Sequence, residues 1–171
     1  HDGLSGWGYA ATLTLRDCPA GPEDWHRVRT NFVKRLRRLG MIRLHWVVEW
    51  QRRRVPHLHL AIWMPDDSEY APDIAAHWME AAKQYRPALR SQAVMPITHF
   101  GGWAQYVAKH SARGAMHYQR NITARPSGWV SSGRVWGRVG QWSLVDPIRL
   151  EMPPEAFYAL RRAIRGWRVA N

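Results

Sequence analysis

Cysteine is almost absent from this chain: Cys18 is the single one among 171 residues. One thiol cannot close an internal disulfide, and the expected compartment is a reducing one, the cytoplasm. Lysine is nearly as scarce. Only Lys34, Lys83 and Lys109 occur among 25 basic residues, the rest being arginine. Acidic residues number 13, which leaves a formal charge of +12. A surplus of that size fits a polyanionic partner such as DNA or RNA, with arginine-rich genome composition as the bland counter-reading. No apolar run approaches the ~20 residues of a membrane span, and no signal-peptide pattern occurs, so no membrane partner is expected. A G-x-x-x-x-G-K-[ST] element is also missing, which excludes a nucleotide-powered motor built on that loop.

What is present is a hydrophobic content of 46% with eleven tryptophans, enough for one sizeable core. No repeat, low-complexity tract or second-domain boundary interrupts residues 1–171. The chain is expected to form one domain, with residues 121–171 as a C-terminal extension of loop, short strand and helix. Tyr9 to Leu15 alternates as a strand, with Tyr9, Ala11, Leu13 and Leu15 on one face and Thr12 and Thr14 on the other. Pro22 to Arg38 carries Trp25, Val28, Phe32 and Leu36 at helical spacing, and Gly40 supplies the stop. Ile42 to Trp50 and His57 to Met64 alternate cleanly, joined by the basic loop QRRRV. A second helix is predicted from Pro72 to about Arg86, with Ile74, Trp78, Ala81 and Tyr85 as its stripe. Gln92 to His99 reads as a fourth strand, at an edge or bulge because of Pro96. A third helix is predicted over Gly101 to Arg113. Residues 121–145 read as loops with one short strand pair, Ile148 to Met152 as a final strand, and Pro153 to Trp167 as a helix with Phe157, Leu160, Ile164 and Trp167 on one stripe.

The order strand, helix, strand, strand, helix, strand predicts an α+β fold of the split βαβ kind. It is an antiparallel sheet of about five strands with both crossover helices on one face. The even-numbered apolar positions go under the helices, and Glu49, His57 and His59 emerge on the opposite, open face.

His57 and His59, one residue apart on a strand, lie roughly 7 Å apart at Cα on the same face, close enough to hold one metal ion between them. A hairpin closed by residues 51–55 brings Glu49 opposite His57 or His59. Two imidazoles and a carboxylate with open positions form a plausible catalytic metal site. The bland alternatives are packed histidines and a carboxylate offsetting Arg52–Arg54. Tyr106 is expected to precede Lys109 by about one helical turn on the same face, and Trp103 and His110 share the face of Tyr106. A free phenol has a pKa near 10. A lysine and a cation nearby would favour its phenolate as a nucleophile.

These residues in this order resemble the HUH endonuclease superfamily, specifically the replication initiator (Rep) proteins of bacterial rolling-circle plasmids and single-stranded DNA phages. The resemblance is carried by ATLTL at 11–15, EWQRRRVPHLHLAIW at 49–63 and WAQYVAKHSARG at 103–114, and GRVWGR at 133–138 resembles a downstream feature of some plasmid initiators. It covers roughly residues 8–150. It implies that His57, His59 and Glu49 bind Mg²⁺ or Mn²⁺, with Zn²⁺ the lesser alternative. It further implies that Tyr106 attacks the scissile phosphate to leave a 5′-phosphotyrosine and a free 3′-OH, assisted by Lys109. His110 stands where several relatives carry a second tyrosine, which favours a single-tyrosine enzyme. The tyrosine follows the histidines, the order of Rep proteins rather than of conjugative relaxases.

Single-stranded or origin-hairpin DNA is the expected partner, with host replication machinery as a further one. Arg52, Arg53, Arg54, Arg113 and Arg120 are the candidate phosphate contacts. The competing readings are a single-tyrosine transposase of the same superfamily, a non-catalytic single-strand-binding module, and a His₂Glu zinc hydrolase.

Overall fold

Hydrophobic alternation at period two builds the sheet, and the computed structural model describes residues 6–98, 125–142 and 151–170. The elements are β1 (Trp7–Thr14), α1 (Pro22–Arg38), β2 (Arg43–Trp50), β3 (Pro56–Met64), α2 (Ala71–Ala81), β4 (Ala93–Pro96), β5 (Trp136–Gly140) and α3 (Pro154–Ala170). The strand order is β4-β1-β3-β2-β5, with every neighbouring pair antiparallel. The first four strands have the split βαβ arrangement expected from the sequence, and β5 extends it beyond β2.

Even-numbered residues of β2 and β3 and odd-numbered residues of β1 form the core face. Leu13, Leu44, Leu58, Leu60, Ile62 and Met64 are fully buried there. Helix α1 covers this face with Trp25, Val28, Phe32 and Leu36, and α2 with Ile74 and Trp78, all buried. Trp78 receives Trp25 and Phe32 edge-on at 6.0 and 5.4 Å between centroids, and its Nε1 donates to the Thr14 carbonyl at 3.1 Å. Loss of so large a buried ring typically costs about 3–5 kcal/mol.

The predicted ends of α1 hold. Pro22 opens the helix, Glu23 and Asp24 sit in its first turn, and Arg35, Arg37 and Arg38 in its last, as the helix dipole favours. Gly40, at φ +95°, terminates it. The N–H of Gly40 bonds the Arg37 carbonyl and that of Met41 the Leu36 carbonyl, the paired bonds of a Schellman stop.

Elsewhere the structure corrects the expectation. The second helix ends at Ala81 rather than near Arg86, and a 3₁₀ turn over Lys83–Tyr85 follows. That turn aims the Tyr85 carbonyl at the N–H groups of Arg16 and Asp17, and left-handed Arg86 pairs with the Asp17 carboxylate. The fourth strand is only Ala93–Pro96, an edge strand as Pro96 implied. Gln92 extends that edge with its side chain: its Oε1 accepts from the Thr14 N–H at 2.8 Å. Within 121–145 the described residues hold one strand, β5, whose partner is β2 rather than a neighbour in sequence. Glu151 and Met152 have no regular structure, and 148–150 lie outside the described residues. Helix α3 forms, but Phe157 and Leu160 of its apolar stripe are exposed rather than packed. The predicted helix at 101–113 lies outside the described residues.

The pairing of β5 depends on one glycine. Gly137 lies opposite Trp46 on the core face, and a Cβ there would approach the Trp46 ring to 2.6 Å. Arg29 of α1 stacks on the same indole, 3.7 Å from its centroid, and donates to the Arg134 carbonyl at 3.0 Å. Burial pushes the pKa of that guanidinium down to about 10. Gly137→Ala is therefore expected to destabilise the fold by about 1–3 kcal/mol in urea unfolding. A change of only a few tenths would mean that Trp46 does not define the seat of β5.

Candidate metal centre

The β2–β3 hairpin positions three ligating side chains. Its loop is a turn in which the Arg54 N–H bonds the Gln51 carbonyl and the Gln51 N–H bonds the Val55 carbonyl, with Arg54 left-handed at φ 58°. This closure pairs Glu49 with His57, and Val47 with His59. Of the two partners the sequence left open for Glu49, His57 is the one directly opposite. All three residues share a face, as their common parity required.

The three side chains converge. The Nε2 atoms of His57 and His59 are 2.6 Å apart, and Glu49 Oε2 lies 3.3 Å from His59 Nε2 and 3.9 Å from His57 Nε2. Ring nitrogens that close hold one proton between them or face one cation. One ligand atom from each residue falls within 4.8 Å of the others. The face is not open in the way the sequence suggested: the side chains of Glu49, His59 and His57 are 0%, 7% and 14% exposed. Ala61 and Trp63, on the same face, are buried too, and Trp63 meets Trp142 edge-on at 5.4 Å. Burial pushes the pKa of His45, also on this face, below its ordinary value.

A second layer of residues, not singled out from the sequence, holds the imidazoles. Thr12 pairs with His59 across β1–β3, and its Oγ1 lies 3.1 Å from His59 Nδ1. A ring that gives its Nδ1 proton to Thr12 presents the Nε2 lone pair to the cluster. Beside His57, Gln51 Nε2 lies 3.4 Å from Nδ1 and donates to Thr14 Oγ1 at 2.7 Å. Arg53 donates to Gln51 Oε1 at 2.6 Å, to the Arg16 carbonyl at 2.5 Å and to the Leu15 carbonyl. Its guanidinium thus ties the hairpin loop to the end of β1. Arg52 and Arg54 are exposed at the same tip. Antiparallel pairing of the ATLTL strand with the histidine strand was the signal that could have revealed Thr12.

Imidazole nitrogens and a carboxylate oxygen, convergent and largely dry, are a donor set that suits a divalent cation with positions left for further ligands. Tyr106, Lys109, Arg113 and Arg120 lie outside the described residues, as do Trp103 and His110.

A profile of the ORF2-type replication-associated protein family matches residues 8–118. The chain belongs to that family. A replication-associated protein of Pseudomonas phage Pf3 is 47% identical over 171 residues, covering 98% of this chain and 62% of the relative. A Xylella fastidiosa Temecula1 protein provisionally named as a replication protein is 47% identical across 100% of this chain and 68% of its own length. Its counterpart in strain 9a5c is 43% identical, with 63% of its length covered. The chain thus spans about two thirds or slightly less of these relatives. No solved structure matches it. Family membership agrees with the resemblance to rolling-circle initiators carried by the three motifs. Among the described residues no helix is long and apolar enough to cross a membrane.

Calorimetric titration with Mn²⁺ is expected to show one site per chain, absent in His59→Ala. Thr12→Val, which keeps the shape but removes the hydroxyl, is expected to weaken that site about 10- to 100-fold. Unchanged affinity in both variants would place the ion elsewhere.

Proposed function

We propose that this protein is a metal-dependent, site-specific single-stranded DNA endonuclease and ligase that initiates rolling-circle replication. The observation that carries this reading is the convergence of Glu49, His57 and His59 on one buried patch of the sheet. Family membership supplies the replication context. Residues 1–171 act as one nicking and joining domain in this reading.

His57 Nε2, His59 Nε2 and the Glu49 carboxylate would hold Mg²⁺ or Mn²⁺. When bound, such a cation polarises a non-bridging phosphate oxygen and orients the ester for in-line displacement. Tyr106 supplies the nucleophile. Its oxygen attacks phosphorus, the bond from phosphorus to the 3′ oxygen breaks, and the phenolic proton passes to the departing 3′ oxygen. The products are a 5′-phosphotyrosine and a free 3′-OH, and the reverse attack by a 3′-OH rejoins the strand. Lys109, three residues after Tyr106 in sequence, would stabilise the phenolate and the charge developing on the phosphate. Thr12 would keep the lone pair of His59 Nε2 aimed at the ion, and Gln51 and Arg53 would keep His57 and the hairpin in place. Arg52 and Arg54 at the exposed tip, with Arg113 and Arg120, are the proposed phosphate contacts.

The test is incubation with Mn²⁺ and single strands tiled across the replicon that encodes the chain. A denaturation-resistant protein–DNA adduct is expected, with the nucleotide located on Tyr106 by mass spectrometry. Tyr106→Phe is expected to form none. Adduct formation by that variant at the normal rate would sink the assignment.

A further inference from the structure

Strand β5 carries its side chains in an unusual sense. Small or aliphatic residues, Gly137 and Val139, face the core, while Trp136 and Arg138 face outward. Trp136 is 62% exposed, far more than a large aromatic needs to be beside a well-packed core. The register allows no alternative. A one-residue slip would bring the Trp136 indole onto the core face, where Trp46 already leaves no room for a Cβ at Gly137.

The outward face of β5 is the face that bears the metal centre. Trp136 pairs with Val47, Val47 with His59, and His59 with Thr12, so these residues form one row across four strands. Two strand spacings separate Trp136 from His59, about 10 Å. Arg138 heads the adjoining row, opposite His45. An exposed indole with an exposed guanidinium two residues along one edge strand is a pairing suited to an unpaired base and its phosphate. The charge of +12 favours a polyanionic occupant over an apolar ligand, and the planar indole beside a guanidinium suits a base with its phosphate.

We propose that Trp136 and Arg138 form a single-stranded DNA subsite, Trp136 stacking one unpaired base and Arg138 holding the neighbouring phosphate. The strand would then run along the Trp136–His59 row and deliver a phosphate to the metal centre. The subsite rests on the nicking reading above, in that both need a single strand on this face, but it makes a separate demand on β5.

The test is fluorescence anisotropy of a labelled oligothymidylate of about 12 nucleotides, within the range such sites cover, using the full chain in EDTA. Trp136→Ala is expected to weaken binding roughly 5- to 150-fold, the range of one lost base–aromatic stack. Trp136→Phe should recover most of it. Arg138→Ala should lower the slope of log affinity against log salt by about 1. The melting temperature of Trp136→Ala should match wild type, because the indole lies outside the buried core. Tight wild-type binding unaffected by Trp136→Ala would overturn this subsite and leave the nicking reading standing. Failure of the wild type to bind any single strand would overturn both. A wild-type dimer that Trp136→Ala converts to monomer, with DNA affinity unchanged, would reassign the indole to self-association.

Discussion

The antiparallel register of β2 against β3 is the constraint on which the remainder depends. It sets Glu49 opposite His57 and, through the same parity, puts His59 on the same side. The opposite side of the same two strands carries Leu44, Trp46, Val48 and Trp50 against Leu58, Leu60 and Ile62, all buried. A slip of one residue would turn all of these to the other face and scatter the ligand set. Core packing therefore enforces the site geometry even though none of the core residues takes part in it. Arg53 adds a second restraint, because its bonds to the Leu15 and Arg16 carbonyls anchor the hairpin loop to β1.

A fully buried carboxylate is costly to maintain unless charge or strong hydrogen bonding offsets its lost hydration. Among the described residues, two imidazoles stand beside it, themselves only 2.6 Å apart and flanked by Thr12 and Gln51. Such an arrangement concentrates polar groups where the fold would otherwise bury apolar ones. The donor set and its dryness are compatible with a divalent cation, and family membership sets the protein in the context of replication.

The two faces of the sheet divide the work. The core face takes α1 and α2, and its aromatics interlock edge to face around Trp78. The other face bears Glu49, His57 and His59 in the centre and an exposed tryptophan on its β5 edge. Strand β5 takes part in both faces, since Gly137 admits the Trp46 indole on one side and thereby fixes Trp136 on the other.

Much of this was legible from residue order. Period-two alternation gave β1, β2 and β3 to within two residues, and Pro22, the Trp25–Leu36 spacing and Gly40 bounded α1. Shared parity put Glu49, His57 and His59 on one face. These features are local, and local sterics and hydrophobic period decide them. The choice of His57 as the direct partner of Glu49, the roles of Thr12 and Gln51, the burial of Glu49 and the docking of β5 on β2 were not legible. Each depends on contacts between segments far apart in sequence, where chain-wide packing sets distance and solvent access. The early end of α2 has the same origin, the Tyr85 carbonyl being captured by the N–H groups of Arg16 and Asp17 just after β1, which no helix propensity encodes. Sequence by itself determined the chemistry on offer and the face that carries it. Tertiary structure decided how close those groups come and how dry they are, because only the assembled sheet brings separate strands to within ångströms of one another.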